Sequence, residues 1–336
     1  MVDPLDAIPS ERRATARAAF ARAFAGAAPD ALQPVGGGAS GALIYRADVA
    51  GRPYLMRIET RRDAMRNPHQ SACMQIAADA GIAPPLHHLD DAAGVAIMDF
   101  LPQRPWSEYP GGPPRLARDV GALAARLQAT PPFPRLADYA VILESMLRSL
   151  TRGRVFAEGL LAPHLAAFDE LRRVVPRIGA ALDSSHNDPN VRNVLFDGAR
   201  LWVVDWETAY RNDPMTDVAI LVENFATEPE LASELLGGWL GRPPDRAHRA
   251  RLVLMRQLTR LYYAGLVLSA FVFAPRGAPD GDLAAPTPAE FRAAVEAGRL
   301  TIGPEMMYTL GKVYLAWFLA ELRAPGFAEA LRVARR

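Results

Sequence analysis

The spacing of apolar residues divides the chain into a strand-rich first third and a mainly helical remainder. Residues 10–25 have helical spacing, and two apolar stretches, 42–49 and 54–58, have the length and composition of strands. The residues between them, Ala-Gly-Arg-Pro at 50–53, favour a turn. The two strands are therefore expected to form a β-hairpin.

Helical spacing returns over residues 63–80, and a further strand is expected over 94–101. The segment that follows, PQRPWSEYPGGPP, is rich in proline and glycine and is the best domain boundary in the sequence. We therefore expect an N-terminal nucleotide-binding lobe over residues 1–101 and a C-terminal lobe over 102–336.

The C-terminal lobe is predicted to be helical, with one hairpin. Its helical segments are 115–128, 137–149, 162–181, 214–225, 245–273 and 304–322. In NVLFDGARLWVVDW, two short apolar strands flank Asp197-Gly198, a dipeptide typical of tight hairpin turns. Residues 276–289 are expected to form a long loop. The pattern predicts an α+β fold with a small β-rich lobe and a larger, mainly helical lobe.

Composition narrows the range of partners. The 336 residues are 50% hydrophobic and 22% charged, and the net charge of +1 gives no electrostatic reason to expect nucleic acid or a membrane as partner. The apolar run over 261–274 is too short to span a bilayer as a helix. A single cysteine, Cys73, and an N-terminus without the pattern of a secretory signal favour the cytoplasm. No feature indicates an oligomeric state.

A glycine-rich segment, GGGASG, precedes the first strand of the predicted hairpin. Its spacing fits G-x-G-x-x-G, but a dinucleotide-binding unit would continue into a helix, whereas ALIYRADV reads as a strand. In kinase-like folds such a turn lays backbone amides over nucleotide phosphates. Gly36, Gly37, Gly38 and Ser40 are therefore candidate nucleotide-binding residues, and a flexible hairpin turn is the alternative.

The segment HNDPNVRN carries the clearest chemistry. Phosphoryl transfer needs a carboxylate near the acceptor hydroxyl and oxygen ligands that hold Mg²⁺ on the phosphates. Asp188, then Asn193 five residues later and Asp205 beyond the hairpin, provide these groups at the spacing of a kinase catalytic loop. Asp188 would orient or deprotonate the acceptor, Asn193 and Asp205 would bind Mg²⁺, and His186 would brace the loop. The alternative is a polar loop that caps neighbouring helices.

HNDPNVRN and VVDWETAYRNDPMTDVAIL together resemble the catalytic and magnesium-binding segments of the aminoglycoside phosphotransferase and choline/ethanolamine kinase superfamily. The resemblance extends over residues 32–225. It implies a protein-kinase-like two-lobe fold and the transfer of phosphate from ATP, with Mg²⁺, to a hydroxyl group of a small molecule.

The resemblance also assigns residues on the nucleotide side. Arg57 stands where many relatives have a phosphate-binding lysine. Choline kinases are similar to this chain in having an arginine at that position, so the sequence is closer to that branch. Gln70 stands where relatives have the glutamate that pairs with the lysine, so only a hydrogen bond to Arg57 is expected. Backbone groups of residues 98–101, including those of Met98 and Phe100, would be hydrogen-bond partners of adenine, and Asp217 would bond the backbone of the catalytic loop.

Further assignments concern the second metal and the acceptor. Glu207 would support a second Mg²⁺, with a surface salt bridge as the alternative. The resemblance places acceptor contacts at Asn190, Glu223, Asn224 and Tyr263. Choline kinases carry a carboxylate at the position of Asn224, so the match to a choline site is incomplete.

The leading hypothesis is thus an ATP- and Mg²⁺-dependent kinase for a hydroxyl of a small metabolite, with choline and ethanolamine as the nearest named acceptors. Two alternatives remain open. One is an aminoglycoside or other antibiotic phosphotransferase. The other is a nucleotide-binding pseudokinase or regulatory module, which Arg57 and Gln70 suggest.

Overall fold

A five-stranded antiparallel sheet is followed along the chain by a large helical region. The computed structural model describes residues 3–36, 42–60, 67–175, 181–274 and 276–335. The strands of the sheet are β1 (Ala31–Pro34), β2 (Ala42–Val49), β3 (Arg52–Glu59), β4 (Leu86–Asp90) and β5 (Val95–Asp99). In space their order is β1-β2-β3-β5-β4. The sheet and the helical region together confirm the α+β class.

The hairpin between β2 and β3 forms as predicted, with a tighter turn. Val49 pairs with Arg52, so Ala50 and Gly51 alone make the turn, with φ angles of 50° and 73°. Positive φ at both positions matches the right-handed twist of the flanking strands. β3 consequently begins two residues earlier than the predicted stretch over 54–58.

Two helices accompany the sheet. α1 (Ser10–Ala23) buries Ala16, Ala19 and Phe20, and Phe20 belongs to the apolar core beneath the sheet. α2 (Gln70–Asp79) is the described part of the helix predicted over 63–80, because residues 61–66 lie outside the described chain. It is followed by Gly81 with a φ of 63°, a conformation that glycine adopts without steric cost.

The helical region begins after β5. Its helices are α3 (Gly112–Gln128), α4 (Tyr139–Arg152), α5 (Ala162–Val174), α6 (Met215–Phe225), α7 (Pro229–Leu240), α8 (Arg246–Leu268), α9 (Ala270–Phe273), α10 (Pro288–Glu296), α11 (Pro304–Leu322) and α12 (Pro325–Ala334). The predicted hairpin is present as β7 (Val194–Phe196) and β8 (Leu201–Val203), and β6 (Asp183–Ser185) pairs with β9 (Tyr210–Asn212). The sequence did not predict the strands β1, β4, β6 and β9 or the helices α7, α10 and α12. The placement of the lobe boundary after residue 101 stays a prediction.

Glycines let α3 and α7 approach closely. A Cβ atom at Gly121 would lie 2.1 Å from the carbonyl oxygen of Leu235, and one at Gly238 would lie 2.0 Å from that of Arg118. Neither position can accept a side chain unless the helix backbones separate. Gly237 is different, because its nearest atom would be 4.0 Å away.

The apolar run over 261–274 is shared between α8 and α9 rather than forming one helix. Leu261, Ala264 and Leu268 are fully buried, as expected of a core helix, whereas Phe273 is 86% exposed. Within the described ranges, no helix has both the length and the apolar character that crossing a membrane requires.

Hydrogen bonds connect α2 and the residues after it to the segment that contains Asp205. The backbone N–H of Val203 donates to the Ile82 carbonyl at 2.9 Å. The Asn67 amide and the Cys73 thiol both donate to the Ala209 carbonyl, at 2.6 and 3.3 Å. α2 and the residues that flank it are thereby joined to the backbone on both sides of Asp205.

Candidate active site

The loop HNDPNVRN starts at the end of β6, and its first two residues are hydrogen-bonded to Asp217 in the first turn of α6. The backbone N–H groups of His186 and Asn187 donate to the two carboxylate oxygens of Asp217, at 2.8 and 2.7 Å. Burial raises the pKa of Asp217 to about 7, and the two N–H donors oppose that rise. Asp217 therefore satisfies two buried backbone donors at the start of the loop.

His186 lies inside the protein, where it contacts the segment before Asp205. One of its ring nitrogens, Nε2, is 2.9 Å from the Val204 carbonyl, and its ring packs at 4.8 Å from that of Trp206. Burial lowers the pKa of His186 to about 4, so the imidazole is neutral at pH 7. Its contacts tie the loop to the β8 side of the hairpin.

Asn187 has a left-handed backbone conformation, with a φ of 64°. Asparagine tolerates this region better than most residues with a side chain. Its side-chain amide donates to the carbonyls of Ser185 and Thr208, and its oxygen accepts from Asn212 at 2.7 Å. The residue makes the sharp turn before Asp188 and fixes it with side-chain hydrogen bonds.

Asp188 has two hydrogen-bond donors on a single carboxylate oxygen. The Asn190 amide donates to Oδ1 at 2.8 Å, and the Tyr263 hydroxyl donates to the same oxygen at 2.5 Å. Burial raises the pKa of Asp188 to about 6; Tyr263 and Asn190 lower it, and the charge of Asp205 raises it further. Its carboxylate is therefore oriented, with a pKa near the range in which a general base works at neutral pH.

Asn193 and Asp205 meet at the open end of the β7-β8 hairpin. Val194 pairs with Val203, and the Val204 N–H donates to the Asn193 carbonyl at 2.9 Å, which brings Asp205 beside Asn193. Asp205 has a φ of 65°, a strained conformation of the kind found at functional sites. Burial raises its pKa, and Arg57 opposes the rise.

The side-chain oxygens of Asn193 and Asp205 fit a magnesium ion whose other ligands are phosphate oxygens and water. The Asn193 amide nitrogen donates to the Asp188 carbonyl at 2.9 Å, which leaves the amide oxygen of Asn193 available. Among the described residues, no group of three His, Cys, Asp or Glu side chains could hold a metal alone. Mg²⁺ at nucleotide sites commonly takes one or two protein carboxylates together with phosphate oxygens and water.

Arg57 has its acidic partner on its own strand. Its Nη1 donates to Glu59 at 3.0 Å, and both side chains are largely buried, at 15% and 10% exposed. With the Gln70 amide turned so that its oxygen faces the guanidinium, that oxygen accepts from Arg57 at 2.8 and 3.2 Å. Glu207, which is half exposed, lies 4.0 Å from Arg57, and burial and Asp205 raise its pKa.

The remaining nucleotide-side candidates are partly described. Gly36 follows β1 and has open space where a side chain would be, whereas Gly37, Gly38 and Ser40 lie outside the described residues. Met98 is buried in β5 opposite Leu55. Phe100 comes just after β5, and the Arg46 guanidinium lies over its ring at 5.2 Å.

The candidate acceptor residues are not equivalent. Tyr263 and Asn190 contact Asp188 directly, as described above. Asn224 bonds within α6 and accepts from the Val191 N–H at 3.3 Å, so it contacts the loop. Glu223 points elsewhere and is bound by Arg256 at 2.8 Å and by Arg260. The role of each as an acceptor contact stays a prediction.

Residues 31–252, about two thirds of the chain, match the family model of the phosphotransferase enzyme family. The chain belongs to the phosphotransferase enzyme family.

Solved structures of other phosphotransferases have the same fold. A choline/ethanolamine kinase family protein from Mesorhizobium loti is similar over 96% of this chain and 98% of its own, with a TM-score of 0.71 and 23% identity. A choline kinase from Streptococcus pneumoniae covers 92% of this chain and 100% of its own, at a TM-score of 0.58 and 14% identity. These similarities confirm the protein-kinase-like fold of this phosphotransferase.

Antibiotic kinases are also among the similar structures. A spectinomycin phosphotransferase, solved with ADP and spectinomycin, covers 92% of this chain and 94% of its own, with a TM-score of 0.53 and 13% identity. A protein of Metamycoplasma hominis shares 43% identity over 49 residues, which are 14% of this chain and 10% of that protein. That short match carries no functional argument.

Two features of the site were not found by sequence reasoning. Glu59 lies two residues after Arg57 in β3, so the period of a strand places both on one face, a signal that was present in the sequence. Arg260 joins Glu223 from a different helix, and no local pattern connects residues so far apart in the chain.

Proposed function

We propose that this phosphotransferase is an ATP- and Mg²⁺-dependent kinase that transfers the γ-phosphoryl group to a hydroxyl of a small metabolite. The observation that supports it most strongly is the joint geometry of Asp188, Asn193 and Asp205. The oriented carboxylate of Asp188 and two further side chains that offer oxygen ligands to a metal lie together at the end of one hairpin. A binding module has little use for all three.

Asp188 is the residue that would receive the acceptor. With Tyr263 and Asn190 both on Oδ1, the other oxygen, Oδ2, has the Asn193 amide at 3.4 Å as its neighbour. Oδ2 would accept the hydrogen bond of the acceptor hydroxyl and take its proton as the new O–P bond forms and the bond from the γ-phosphorus to the β-phosphate oxygen breaks, with ADP as the leaving group. Positioning of this kind, together with charge stabilisation, supplies most of the rate enhancement in phosphoryl transfer.

Asn193 and Asp205 would hold Mg²⁺, with Glu207 as a further carboxylate nearby. The ion supplies charge neutralisation for the transferred phosphate when it is bound. Asp205 has a φ of 65° and lies beside Asn193 at the end of the hairpin. His186 supports this backbone conformation, because its ring bonds the carbonyl immediately before Asp205.

Arg57 would bind phosphate oxygens of ATP from β3, with Glu59 and Gln70 holding its guanidinium. This arrangement bears on the pseudokinase alternative, which rested on the loss of the lysine–glutamate pair. The cation keeps an acidic partner in Glu59, at 3.0 Å. An arginine with a fixed, paired fork is suited to phosphate recognition.

The proposal is tested with Mg²⁺ and ATP against a panel of choline, ethanolamine, simple sugars, thiamine and aminoglycosides. Both ADP release and the phosphorylated product are followed, because ADP alone does not distinguish transfer from hydrolysis. We expect acceptor-dependent product that disappears when Mg²⁺ is chelated. Tight ATP binding without product for any acceptor would instead support the regulatory alternative.

A further inference from the structure

Arg260 of α8 is a buried cation that lies between a tryptophan face and a carboxylate. Its guanidinium carbon is 3.8 Å from the ring centroid of Trp317 in α11. On the other side, its Nη2 and Nε donate to Glu223 at 2.8 and 3.1 Å. The side chain is only 1% exposed, so this arrangement is part of the protein interior.

The tryptophan belongs to a row of aromatic rings that leads to Asp188. Tyr263 stacks on Tyr314 at 5.5 Å, and Tyr314 stacks on Trp317 at 6.5 Å, with 19° between the planes in both pairs. We call Tyr263, Tyr314 and Trp317 the aromatic row. The Tyr263 hydroxyl bonds Asp188 at one end of the row, and Arg260 covers Trp317 at the other.

The charges beside the row are already balanced. Burial raises the pKa of Tyr314, and the charges of Glu223 and Asp188 raise it further, so both carboxylates act on this ring of the row. Arg256 and Arg260 both bind Oε1 of Glu223, so two guanidinium groups already share this charge, while Oε2 is buried without a hydrogen-bond partner among the described residues. Glu321 lies 3.6 Å from Arg260 at a half-exposed position.

We propose that Arg260 is a specificity-determining residue that excludes cationic acceptors, so that the acceptor is an uncharged alcohol. The inference rests on the proposed function for its placement of the acceptor at Asp188. An ammonium ligand is recognised by an aromatic face together with a carboxylate. Here Arg260 uses both the face of Trp317 and the charge of Glu223. A second cation beside the row would meet two guanidinium groups that already share the charge of Glu223.

The first experiment compares two acceptors of the same shape. One is choline and the other is its neutral carbon analogue, which has a tert-butyl group in place of trimethylammonium. We expect kcat/KM of the wild-type protein to favour the neutral alcohol by about tenfold or more, which corresponds to about 1.4 kcal/mol. A preference for choline of that size would overturn the proposal.

The second experiment measures binding and does not depend on turnover. Tetramethylammonium is titrated into the wild-type protein and into Arg260→Met, with tryptophan fluorescence as the readout. We expect the variant to bind it about tenfold more tightly or better, because the face of Trp317 becomes free and one of the two cations on Glu223 is removed. Arg256→Met is the matched control, since it also removes a partner of Glu223 but leaves Arg260 on Trp317. It is expected to behave as wild type within about threefold.

Equal affinity of the wild type and Arg260→Met for tetramethylammonium, including no binding to either, would refute the role of Arg260. If Arg260→Met does not fold, Arg260→Gln removes the positive charge and keeps a side-chain N–H donor for Glu223. It is expected to bind the cation more tightly than wild type. Absence of turnover with every acceptor would count against the kinase proposal, while the fluorescence titration still decides this one.

Discussion

Tyr263→Phe removes one hydroxyl from the candidate catalytic centre and leaves the ring stacked on Tyr314. The lost hydrogen bond goes to Oδ1 of Asp188. A hydrogen bond to a charged group contributes about 1.5–3 kcal/mol to stability, and one pKa unit corresponds to about 1.36 kcal/mol. Because Tyr263 lowers the pKa of Asp188 against the effect of burial, its removal should raise that pKa by about one to two units.

The sign follows from the role of Asp188 as a proton acceptor. Activity requires the carboxylate, so it falls as the pH drops through the pKa of Asp188, which is about 6 in the wild type. In Tyr263→Phe the acidic limb of kcat/KM should move toward neutral pH, by about one unit or more. The loss of activity should therefore be larger at low pH than at high pH.

Steady-state kinetics over a range of pH values provide the assay, with Tyr262→Phe as the matched control. Tyr262 is the adjacent residue on the same helix, and its hydroxyl makes no hydrogen bond to Asp188. Its acidic limb should coincide with that of the wild type. Two parallel profiles for wild type and Tyr263→Phe would refute the reasoning. A rise in the KM of the acceptor alone would show that Tyr263 is only a substrate contact.

Three further predictions concern the support of the site and the fold. Glu59→Gln should raise the KM for ATP several-fold through Arg57, since a partly buried guanidinium loses about 1–3 kcal/mol of pairing, and an unchanged KM would contradict this. Asp217→Ala leaves two backbone donors unsatisfied and should lower the free energy of unfolding by about 2–4 kcal/mol in denaturant titrations; a loss below 0.5 kcal/mol, roughly the scatter of surface changes, would contradict it. Gly238→Ala should destabilise by at least about 1–3 kcal/mol, whereas Gly237→Ala should be neutral or stabilising, and equal melting temperatures would refute the close approach of α3 and α7.

The parts of the fold that local sequence determines were predicted well. The β2-β3 hairpin turns at Ala50-Gly51, where glycine suits the positive φ and Ala50 adopts one at a steric cost, and the β7-β8 hairpin turns over residues 197–200, where Gly198 has a φ of 100°. The catalytic loop and Asp205 lie close together because one short hairpin connects them. Such features require only a few residues in sequence, and therefore spacing alone is informative.

The missed helices carried signals that tertiary packing completed. α7, α10 and α12 each begin with a proline in the first turn, a position that suits proline. α10 also has a capping box formed by Thr287 and Glu290. Thr287 lies inside the segment that was expected to be a loop, and Glu290 comes just after its end. In α7, Gly237 and Gly238 are both poor helix formers. Gly238 is nevertheless suited to the helix, because the absence of a side chain permits its close contact with α3.

Side-chain pairing between distant elements could not be predicted. The sequence placed Glu223 and Tyr263 near the acceptor, but nothing local indicated that Glu223 is neutralised by Arg256 and Arg260. Those arginines lie more than thirty residues later on another helix. Contacts of this kind depend on how helices pack, which a single sequence does not specify through periodicity alone.

The most direct test of the central claim is the formation of phosphorylated product by Asp188→Asn. The substitution keeps the size and hydrogen-bond acceptor of the side chain, so the loop should stay folded and ATP should still bind. We expect acceptor-dependent product, followed by phosphorus NMR with Mg²⁺ and ATP, to fall by about a hundredfold to ten-thousandfold. Product formation within about threefold of wild type, in a variant with an unchanged melting temperature, would contradict the assignment of Asp188 as the catalytic carboxylate.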